Sequence, residues 1–196
     1  MMRLIIASSN KGKLREYSQL LSPLGYEVVS AKEAGFDVEV EETGTTFAEN
    51  SALKARAIHE LSGECVLADD SGLCVDALDG APGIYSARFG GLSTDAERTA
   101  LLLEKLKDVP DEKRGAHFMC TICFIYSDGR ELAVEGRVYG TIAHNPSGSN
   151  GFGYDPVFLY DGVSFADVDS NVKNSVSHRA NALKALLEQL DKGENV

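Results

Sequence analysis

The sequence predicts an α/β protein in which helices flank a mixed β-sheet. In the first half, short apolar stretches alternate with segments whose apolar residues recur every three or four positions, which is typical of strands alternating with helices. In the second half, two long strand-like stretches flank Ser127-Asp128-Gly129, a turn sequence typical of a β-hairpin. Strand–helix units followed by a hairpin therefore indicate the α/β class with a mixed sheet.

The first half supplies the predicted strand–helix units. We predict strands over residues 3–7, 26–31, 37–41, 65–68 and 73–77, and helices over residues 13–21, 46–61 and 95–106. Leu14, Tyr17 and Leu21 share one face of the first helix. The second helix opens with Thr46-Phe-Ala-Glu49, which matches the capping-box pattern and predicts where the helix begins.

The second half adds a hairpin, a loop and a closing helix. The predicted hairpin joins residues 116–126 to residues 131–142, and we expect it to form part of a second lobe. A glycine-rich loop over residues 146–153 leads into a predicted strand over residues 156–160. The last helix is predicted from Ser177 and carries Leu183, Leu186, Leu187 and Leu190.

Composition and charge narrow the classes of function. The 196 residues suffice for about one domain, and 43% of them are apolar, which is enough for a sizeable core. Asp and Glu number 30 against 19 Lys and Arg, so the net charge is −11. This acidity argues against a nucleic acid or an anionic membrane as a partner. A small anionic ligand remains compatible, because it needs only a local cluster of cations or a bound metal ion.

The apolar runs are short. None approaches the ~20 residues that a membrane-spanning helix needs, and the first apolar stretch is too short for a signal peptide. The cytoplasm is therefore the expected location.

The cysteine pair Cys120-Thr-Ile-Cys123 formally matches the CxxC pattern of metal and redox sites. It lies in a predicted strand, where positions i and i+3 point to opposite faces. Such a pair cannot clamp one metal ion, and no second pair completes a zinc site. We therefore predict two buried thiols.

The loop Ser8-Ser-Asn-Lys-Gly-Lys13 lies between the first predicted strand and the first helix. Free backbone N–H groups and the helix dipole favour an anion at such a position, and two lysines add positive charge. The spacing does not match the phosphate-binding loop G-x-x-x-x-G-K-[ST]. An anion site and a solvated helix cap with surface lysines are both compatible with the pattern.

Two acidic pairs are candidates for metal binding. Glu41 and Glu42 precede a helix that carries Asn50 and Lys54 on one face, and solvated charge is the alternative reading there. The second pair, in Ala68-Asp-Asp-Ser-Gly-Leu73, follows a buried strand, and ligands of open α/β sheets bind at such strand ends. Adjacent carboxylates repel unless a cation or a proton compensates them, and Mg²⁺ suits hard oxygen ligands. A polar turn is the alternative interpretation. The apolar segments that flank the two aspartates on both sides favour a functional site.

Two further segments could recognise a nucleotide. The loop Gly148-Ser-Asn-Gly-Phe-Gly-Tyr-Asp155 carries aromatic rings that could stack on a base, although such a loop is also typically packed by its own aromatics. Lys173, His178 and Arg179 gather three cations or donors within seven residues of an acidic chain. Together with the carboxylates and lysines above, they form the inventory of a nucleoside triphosphate enzyme.

Six motifs, in order and over nearly the whole chain, resemble the inosine/xanthosine triphosphate pyrophosphatase family. They are Ala7-Ser-Ser-Asn-Lys-Gly-Lys13, Glu41-Glu-Thr-Gly-Thr-Thr-Phe-Ala-Glu-Asn50, Ala68-Asp-Asp-Ser-Gly-Leu73, Gly80-Ala-Pro-Gly-Ile-Tyr-Ser-Ala-Arg-Phe89, Gly151-Phe-Gly-Tyr-Asp-Pro156 and Ser177-His-Arg179. One departure is Ser8-Ser9, where many members carry Thr-Gly; the first serine keeps the hydroxyl and the second is bulkier than glycine.

The resemblance implies a fold, an activity and an assembly. It implies one domain over residues 1–196 with two lobes, an elongated mixed sheet flanked by helices, and an active site in the central cleft. It implies Mg²⁺-dependent hydrolysis of ITP, dITP or XTP to the monophosphate and pyrophosphate. It also implies a homodimer.

The resemblance also assigns roles residue by residue. The triphosphate would be contacted by Ser8, Ser9, Asn10, Lys11, Gly12, Lys13 and Lys54. The metal residues would be Glu41 and Asp70, with Asp69 close by as a third, and they would hold Mg²⁺; Asp70 would also be the base for the attacking water. Ser71 would contact the substrate. The base pocket would be shaped by Phe152, Gly153, Tyr154, Asp155, Lys173, His178 and Arg179.

Hydrogen-bond polarity suggests how such a pocket selects its base. His178 or Arg179 would donate a hydrogen bond to the 6-oxo group of hypoxanthine or xanthine. Adenine carries an amine at that position, so two donors would face each other and the base would be rejected.

Two other functions compete with this assignment. One is a different Mg²⁺-dependent phosphohydrolase that releases orthophosphate, and the other is a nucleotide sensor without turnover.

Overall fold

The computed structural model describes residues 2–193, which form seven strands and five α-helices. The strands are β1 (Met2–Ile6), β2 (Tyr26–Ser30), β3 (Val66–Val75), β4 (Gly115–Ile125), β5 (Glu131–Ile142), β6 (Phe158–Tyr160) and β7 (Val163–Ser164). The helices are α1 (Lys11–Leu21), α2 (Phe47–Ser62), α3 (Asp95–Lys105), α4 (Ser170–Val176) and α5 (His178–Gly193).

The strands form one mixed sheet in the order β2-β1-β3-β4-β5-β6-β7. β1 pairs in parallel with both β2 and β3, and β5, β6 and β7 pair antiparallel. Parallel neighbours need a crossover connection, and α1 and α2 lie in the chain between the parallel strands. The predicted α/β class with a mixed sheet and flanking helices is confirmed.

Contacts divide the chain into two compact units. Unit 1 comprises residues 1–70, 120–136 and 180–196, and unit 2 comprises residues 71–119 and 137–179. The hairpin, expected in a second lobe, contributes to both units, since its central part belongs to unit 1. The assignment of residues 1–196 to one domain with two lobes stays a prediction.

Each unit has its own apolar core. In unit 1, β1 alternates its side chains, so that Leu4 and Ile6 pack with α1 and α5 while Ile5 packs with α2. In unit 2, Leu102 of α3 and Phe118 of β4 belong to a cluster that also holds aromatic rings of the chain after β5. Among the described residues, no helix is long and apolar enough to cross a membrane.

The predicted break in the strand around Ser71 and Gly72 is wrong. β3 runs without interruption through residues 66–75. Gly72 serves close approach rather than a turn, because a Cβ at this position would collide with the carbonyl oxygen of Gly83 and with Ser86 Oγ. A continuous β3 has a direct consequence for Asp69 and Asp70, because neighbouring side chains of a strand point to opposite faces.

Two smaller predictions also need correction, and the sequence missed one helix. Residues 37–41 are irregular rather than a strand, and Val38 is exposed, so this stretch lacks a buried face. The strand predicted over residues 156–160 begins later, because residues 155–157 form a short 3-10 turn. The sequence missed α4, which ends at Ser177, whose N–H donates to the Lys173 carbonyl. The last helix, predicted from about Ser177, is confirmed, since α5 begins at His178.

The remaining elements follow the predictions closely. Thr46 caps α2 by accepting from the Glu49 N–H, while the Glu49 carboxylate accepts from Thr45. The β4–β5 hairpin turns around Asp128 and Gly129, as predicted. Cys120 and Cys123 are buried free thiols that belong to different core clusters of unit 1, which confirms their predicted opposite orientation.

Candidate active site

The centre of the candidate site in unit 1 is the pair of carboxylates on β3. Asp69 is completely buried and Asp70 is 6% exposed. Because β3 is extended through both residues, their side chains meet different helices. Asp69 contacts Lys13 of α1, and Asp70 contacts Asn50 and Lys54 of α2. The sheet therefore separates two carboxylates that are adjacent in sequence.

The Asp70 carboxylate is held by a polar group from α2. Asn50 Nδ2 donates to Asp70 Oδ2 at 3.1 Å, and Lys54 Nζ lies 3.7 Å from Asp70 Oδ1. Asn50 and Lys54 are one helical turn apart, so they share a face of α2, as the spacing predicted. Lys54 Nζ also donates to Glu42 Oε1 at 2.7 Å. One ammonium thus bridges two carboxylates.

Burial and neighbouring charges act in opposite directions on the pKa values of Asp70 and Lys54. Burial raises the pKa of Asp70, and the opposing charges of Lys54 and Lys13 offset only part of that effect. Burial alone would lower the pKa of Lys54, but the charges of Asp70, Asp69 and Glu42 raise it overall. Lys54 therefore stays charged, and Asp70 is a stronger proton acceptor than an exposed aspartate.

Asp69 pairs with a cation on its own face of the sheet. Lys13 Nζ lies 3.0 Å from Asp69 Oδ2 and 3.4 Å from the Asp69 carbonyl oxygen. The thiol of Cys120 lies 3.7 Å from the same Oδ2. The side chain of Lys13 is 13% exposed, whereas that of Asp69 is fully buried.

The loop before α1 is organised by Asn10. Asn10 Oδ1 accepts from the backbone N–H groups of Gly12 and Lys13, and Ser8 Oγ accepts from the Asn10 N–H. Two N–H groups that the sequence suggested for an anion are therefore engaged by the helix cap. Lys11 is exposed, and Ser9 is exposed as well. In this loop, Lys13 is the residue that the fold brings to the carboxylates.

Glu41 and Glu42 differ in position. Glu42 is half-buried against Lys54, and its charge contributes to the raised pKa of Asp70. Glu41 is exposed in the irregular stretch over residues 36–44. Glu42 and Asn50 were absent from the predicted site residues. The i, i+4 spacing of Asn50 and Lys54 could have identified Asn50, whereas nothing in the sequence distinguishes Glu42 from Glu41.

The oxygen donors around Lys54 fit a magnesium ion shared with a phosphate. Mg²⁺ is usually bound by one or two carboxylates, and substrate phosphates complete its coordination. Asp70 supplies one carboxylate, and Glu42 lies within electrostatic reach of it. Over residues 2–193, no group of three or more His, Cys, Asp or Glu side chains is gathered as an all-protein metal site. Asp70 and Glu42 could supply two carboxylates to a Mg²⁺ ion, and substrate phosphates could supply further oxygen ligands.

In unit 2, Asp155 organises the glycine-rich loop. Its Oδ2 accepts from the Phe152 N–H at 2.8 Å and from Lys173 Nζ at 2.6 Å. Asp155 and Lys173 are both buried, so the pair compensates charge that would otherwise be costly. Lys173 Nζ also lies 5.1 Å from the centre of the Phe152 ring. The pair therefore fixes the backbone and the ring at Phe152.

Arg179 and His178 are buried at the start of α5. Arg179 is 1% exposed, and its Nη2 donates to Ser71 Oγ at 3.0 Å. The Arg179 guanidinium also lies 5.9 Å from the centre of the Phe152 ring. The ring of His178 stacks on Phe118 with 4.9 Å between ring centres. Ser71, Phe152 and Arg179 are thus brought together within unit 2.

Two backbone contacts hold the rest of the loop. The hydroxyl of Tyr154 donates to the Ser86 carbonyl at 2.9 Å, so this ring is anchored by its polar end. The Gly153 N–H donates to Asp95 Oδ2 at 2.8 Å. Ser86 in turn accepts from the Leu73 N–H and donates to the Gly83 carbonyl. Ser86 is a residue that the sequence did not single out, because two of its three partners, Leu73 and Tyr154, are 13 and 68 positions away in the chain.

Comparison with known proteins identifies the class of enzyme to which this fold and these side chains belong. A sequence model of the Ham1 family matches residues 4–189. The chain is 48% identical over 194 residues to the dITP/XTP pyrophosphatase of Desulforamulus reducens, covering 97% of this chain and 96% of that protein. It is 49% identical over 188 residues to the dITP/XTP pyrophosphatase of Exiguobacterium sp., covering 94% of this chain and 95% of that protein.

A solved structure agrees with the sequence matches. The HAM1 protein from Coxiella burnetii superposes with a TM-score of 0.86 at 40% identity, covering 98% of this chain and all of that one. The chain therefore belongs to the Ham1 family, and the resemblance drawn from six motifs is confirmed.

Proposed function

We propose that the chain is a Mg²⁺-dependent nucleoside triphosphate pyrophosphatase that hydrolyses ITP, dITP and XTP to the monophosphate and pyrophosphate. This activity removes deaminated purine nucleotides from the cellular pool. Its relatives of nearly the same length are dITP/XTP pyrophosphatases. The observation that carries the proposal is the buried Asp70 carboxylate, held by Asn50 and faced by Lys54.

Phosphate and metal chemistry belongs, in this proposal, to the side chains of unit 1. Asp70 and Glu41 would hold Mg²⁺, as the family resemblance implies; Glu41 is exposed and lies next in sequence to Glu42, which contacts Lys54. The bound ion would neutralise charge on the phosphate oxygens. Asp70 accepts the proton of the attacking water, because a carboxylate beside Lys54 and the proposed metal ion is ionised at neutral pH. Lys13 and Lys54 stabilise the negative charge that develops on the departing pyrophosphate. The triphosphate is also contacted by the loop before α1, through Ser8, Ser9, Asn10, Lys11 and Gly12.

Base recognition belongs, in this proposal, to the side chains of unit 2. The Phe152 ring stacks on the purine, and its loop is held by Asp155, Gly153 and Tyr154. Arg179 and His178 donate to the 6-oxo group, which adenine lacks. Lys173 fixes the Phe152 loop through Asp155. Ser71 follows Asp70 directly in β3 and contacts the substrate while bonded to Arg179.

The proposal extends to assembly and location. We propose a homodimer acting on the nucleotide pool of the cytoplasm, with small-molecule substrates and with neither nucleic acid nor membrane as partner. The net charge of −11 supports the last point, because it repels polyanions. Sedimentation of the purified chain tests the dimer, and a monomer at micromolar concentration would contradict it.

Product analysis tests the activity. The chain is incubated with Mg²⁺ and one nucleotide at a time, and pyrophosphate and orthophosphate are measured separately. Pyrophosphate from ITP, dITP and XTP, lost on chelation of the metal, is the expected result. Orthophosphate release would instead indicate a different phosphohydrolase, and binding of ITP without products would indicate a sensor.

A further inference from the structure

The position of Asp69 gives it a task different from that of Asp70. Asp69 is completely buried, and its Oδ2 forms a 3.0 Å ion pair with Lys13 Nζ. The same ammonium lies 3.4 Å from the Asp69 carbonyl oxygen. A residue that contacts one ammonium through both its side chain and its backbone restricts where that ammonium can lie.

A second contact orients the same carboxylate oxygen. Cys120 of β4 is fully buried, and its Sγ lies 3.7 Å from Asp69 Oδ2. Thiols are weak donors, so this contact adds direction rather than much energy. Oδ2 of Asp69 is thus approached by the ammonium of α1 and by the thiol of β4.

The extended course of β3 keeps this arrangement apart from the Asp70 carboxylate. Asp70 contacts Asn50 and Lys54 of α2, whereas Asp69 contacts Lys13 of α1. Both pairs remain close enough to influence each other, since Lys13 acts on the pKa of Asp70 and Asp69 acts on the pKa of Lys54. Their direct contacts, however, lie on opposite faces of the strand.

We propose that Asp69 is the positioning residue of Lys13 and is not a metal ligand. It holds the ammonium of Lys13 in the place from which this cation binds the triphosphate. A lysine side chain is long and flexible, and a buried carboxylate without its cation is unfavourable, so each member of the pair fixes the other. The inference rests on the proposed function and assigns Asp69 a role other than the metal contact that the resemblance implied.

The test separates the two roles of the neighbouring aspartates. Asp69→Asn and Asp70→Asn are compared for Mn²⁺ binding by electron paramagnetic resonance, with a non-hydrolysable dITP analogue at saturating concentration because substrate phosphates complete the metal coordination, and for turnover of dITP with Mg²⁺. We expect Asp69→Asn to lower kcat/KM by about 10- to 100-fold, the usual cost of losing a group that orients a binding residue. Its Mn²⁺ affinity should stay close to that of the unaltered chain, while Asp70→Asn should lose Mn²⁺ affinity about tenfold or more.

A ligand comparison shows whether the loss acts through Lys13. Asp69→Asn should weaken inhibition by pyrophosphate and leave inhibition by the nucleoside monophosphate unchanged, because Lys13 is proposed to bind the departing phosphates. The double variant Asp69→Asn/Lys13→Gln should be no more impaired than Lys13→Gln alone, since residues in contact do not act additively. A merely structural role would weaken both inhibitors together.

A matched control is available in the same unit. Lys32 and Asp37 form an exposed ion pair with the same 3.0 Å separation. Asp37→Asn makes the same chemical change outside the site and should alter neither turnover nor pyrophosphate inhibition, because exposed pairs contribute little.

If Asp69→Asn is unfolded, the double variant Asp69→Asn/Lys13→Gln replaces it, because removing both partners leaves no buried unpaired charge. That variant should still bind Mn²⁺ normally.

Two results would overturn the inference. A loss of Mn²⁺ affinity in Asp69→Asn, or in the double variant, as large as the loss in Asp70→Asn would make Asp69 a metal ligand. Multiplicative effects of Asp69→Asn and Lys13→Gln would show that the two residues act independently. The proposed function is tested independently of this inference. It is contradicted if the unaltered chain releases no pyrophosphate from dITP, regardless of how the variants bind Mn²⁺.

Discussion

Asp70 is held in an environment that favours function over stability. Its carboxylate is buried, and burial raises its pKa even though Lys54 and Lys13 are near. A group whose pKa is raised on folding is less favourable in its charged form in the folded chain than in the unfolded one. Such sites are typical of residues that take part in proton transfer.

Replacing Asp70 by asparagine should therefore separate activity from stability. We expect Asp70→Asn to lower kcat by about 100-fold or more, the usual contribution of a general base. In metal-free buffer at neutral pH the melting temperature of this variant should be unchanged or higher, because the substitution removes a buried negative charge. Lys54 still has a carboxylate partner, since its Nζ donates to Glu42 Oε1 at 2.7 Å. Steady-state kinetics and calorimetry measure the two effects. A near-normal kcat in Asp70→Asn, together with a loss of activity in Asp69→Asn, would contradict the assignment of Asp70 as the base and would point to Asp69 instead.

Ser71 offers a second test at the scale of one residue. Its Oγ accepts from Arg179 Nη2, a buried charged donor. Ser71→Ala should lower kcat/KM for ITP by about tenfold, the cost of losing one hydrogen bond to a charged group. Ser71→Thr keeps the hydroxyl and should retain most of the activity. Equal losses in both variants would show that space, rather than the hydrogen bond, governs this position.

Among the elements, β3 decides the chemistry because it is continuous. The sequence Asp69-Asp-Ser-Gly72 has the composition of a turn, so local rules predicted a break in the strand. The tertiary contact of Gly72 with Gly83 and Ser86 explains why the strand continues instead. By contrast, the shared face of Asn50 and Lys54 follows from helical spacing alone, and the sequence was sufficient to predict it.

The role of Gly72 can be measured through stability. Gly72→Ala should destabilise the chain by about 1–3 kcal/mol, the usual cost of forcing an atom into a packed position. Ser86→Ala should also destabilise it, because the Leu73 N–H loses its acceptor. Denaturant unfolding measures both variants. A midpoint for Gly72→Ala equal to that of the unaltered chain would mean that the strand has room for a side chain here.

The two cysteines of β4 should be chemically inert. Burial raises the pKa of Cys123 to about 11, so little thiolate is present at neutral pH. Alkylation of the folded chain at pH 8 should modify the half-buried Cys65 before Cys123, as followed by mass spectrometry. Denaturation should abolish the difference. Rapid modification of Cys123 in the folded chain would contradict the burial of this thiol.

For the whole molecule, patterns within one element were predictable and contacts between distant segments were not. Hydrophobic periodicity was enough to predict the α/β class, the mixed sheet and the β4–β5 hairpin. Six ordered motifs were enough for the family. The pairing of Glu42 rather than Glu41 with Lys54, and the hydrogen bonds of Ser86, depend on how segments far apart in sequence meet. Such contacts leave no periodic signal.

The charge of the whole molecule also fits its proposed substrates. A net charge of −11 repels anions in general. Lys13 and Lys54 nevertheless place two ammonium groups beside the β3 carboxylates, and Mg²⁺ would bring further positive charge with the substrate. In the proposed function, local cations and the metal ion would thus attract a small polyanion to an acidic protein.

The most direct test of the central claim is the identity of the products. The chain is incubated with Mg²⁺ and, separately, with ITP, XTP, GTP and ATP, and pyrophosphate and orthophosphate are assayed in each mixture. Pyrophosphate from ITP and XTP, with little product from ATP, is the predicted result. Guanine also carries the 6-oxo group, so the amount of product from GTP reports on recognition near the 2-amino position. Orthophosphate in place of pyrophosphate, or equal use of ATP, would contradict the assigned reaction or the assigned base specificity.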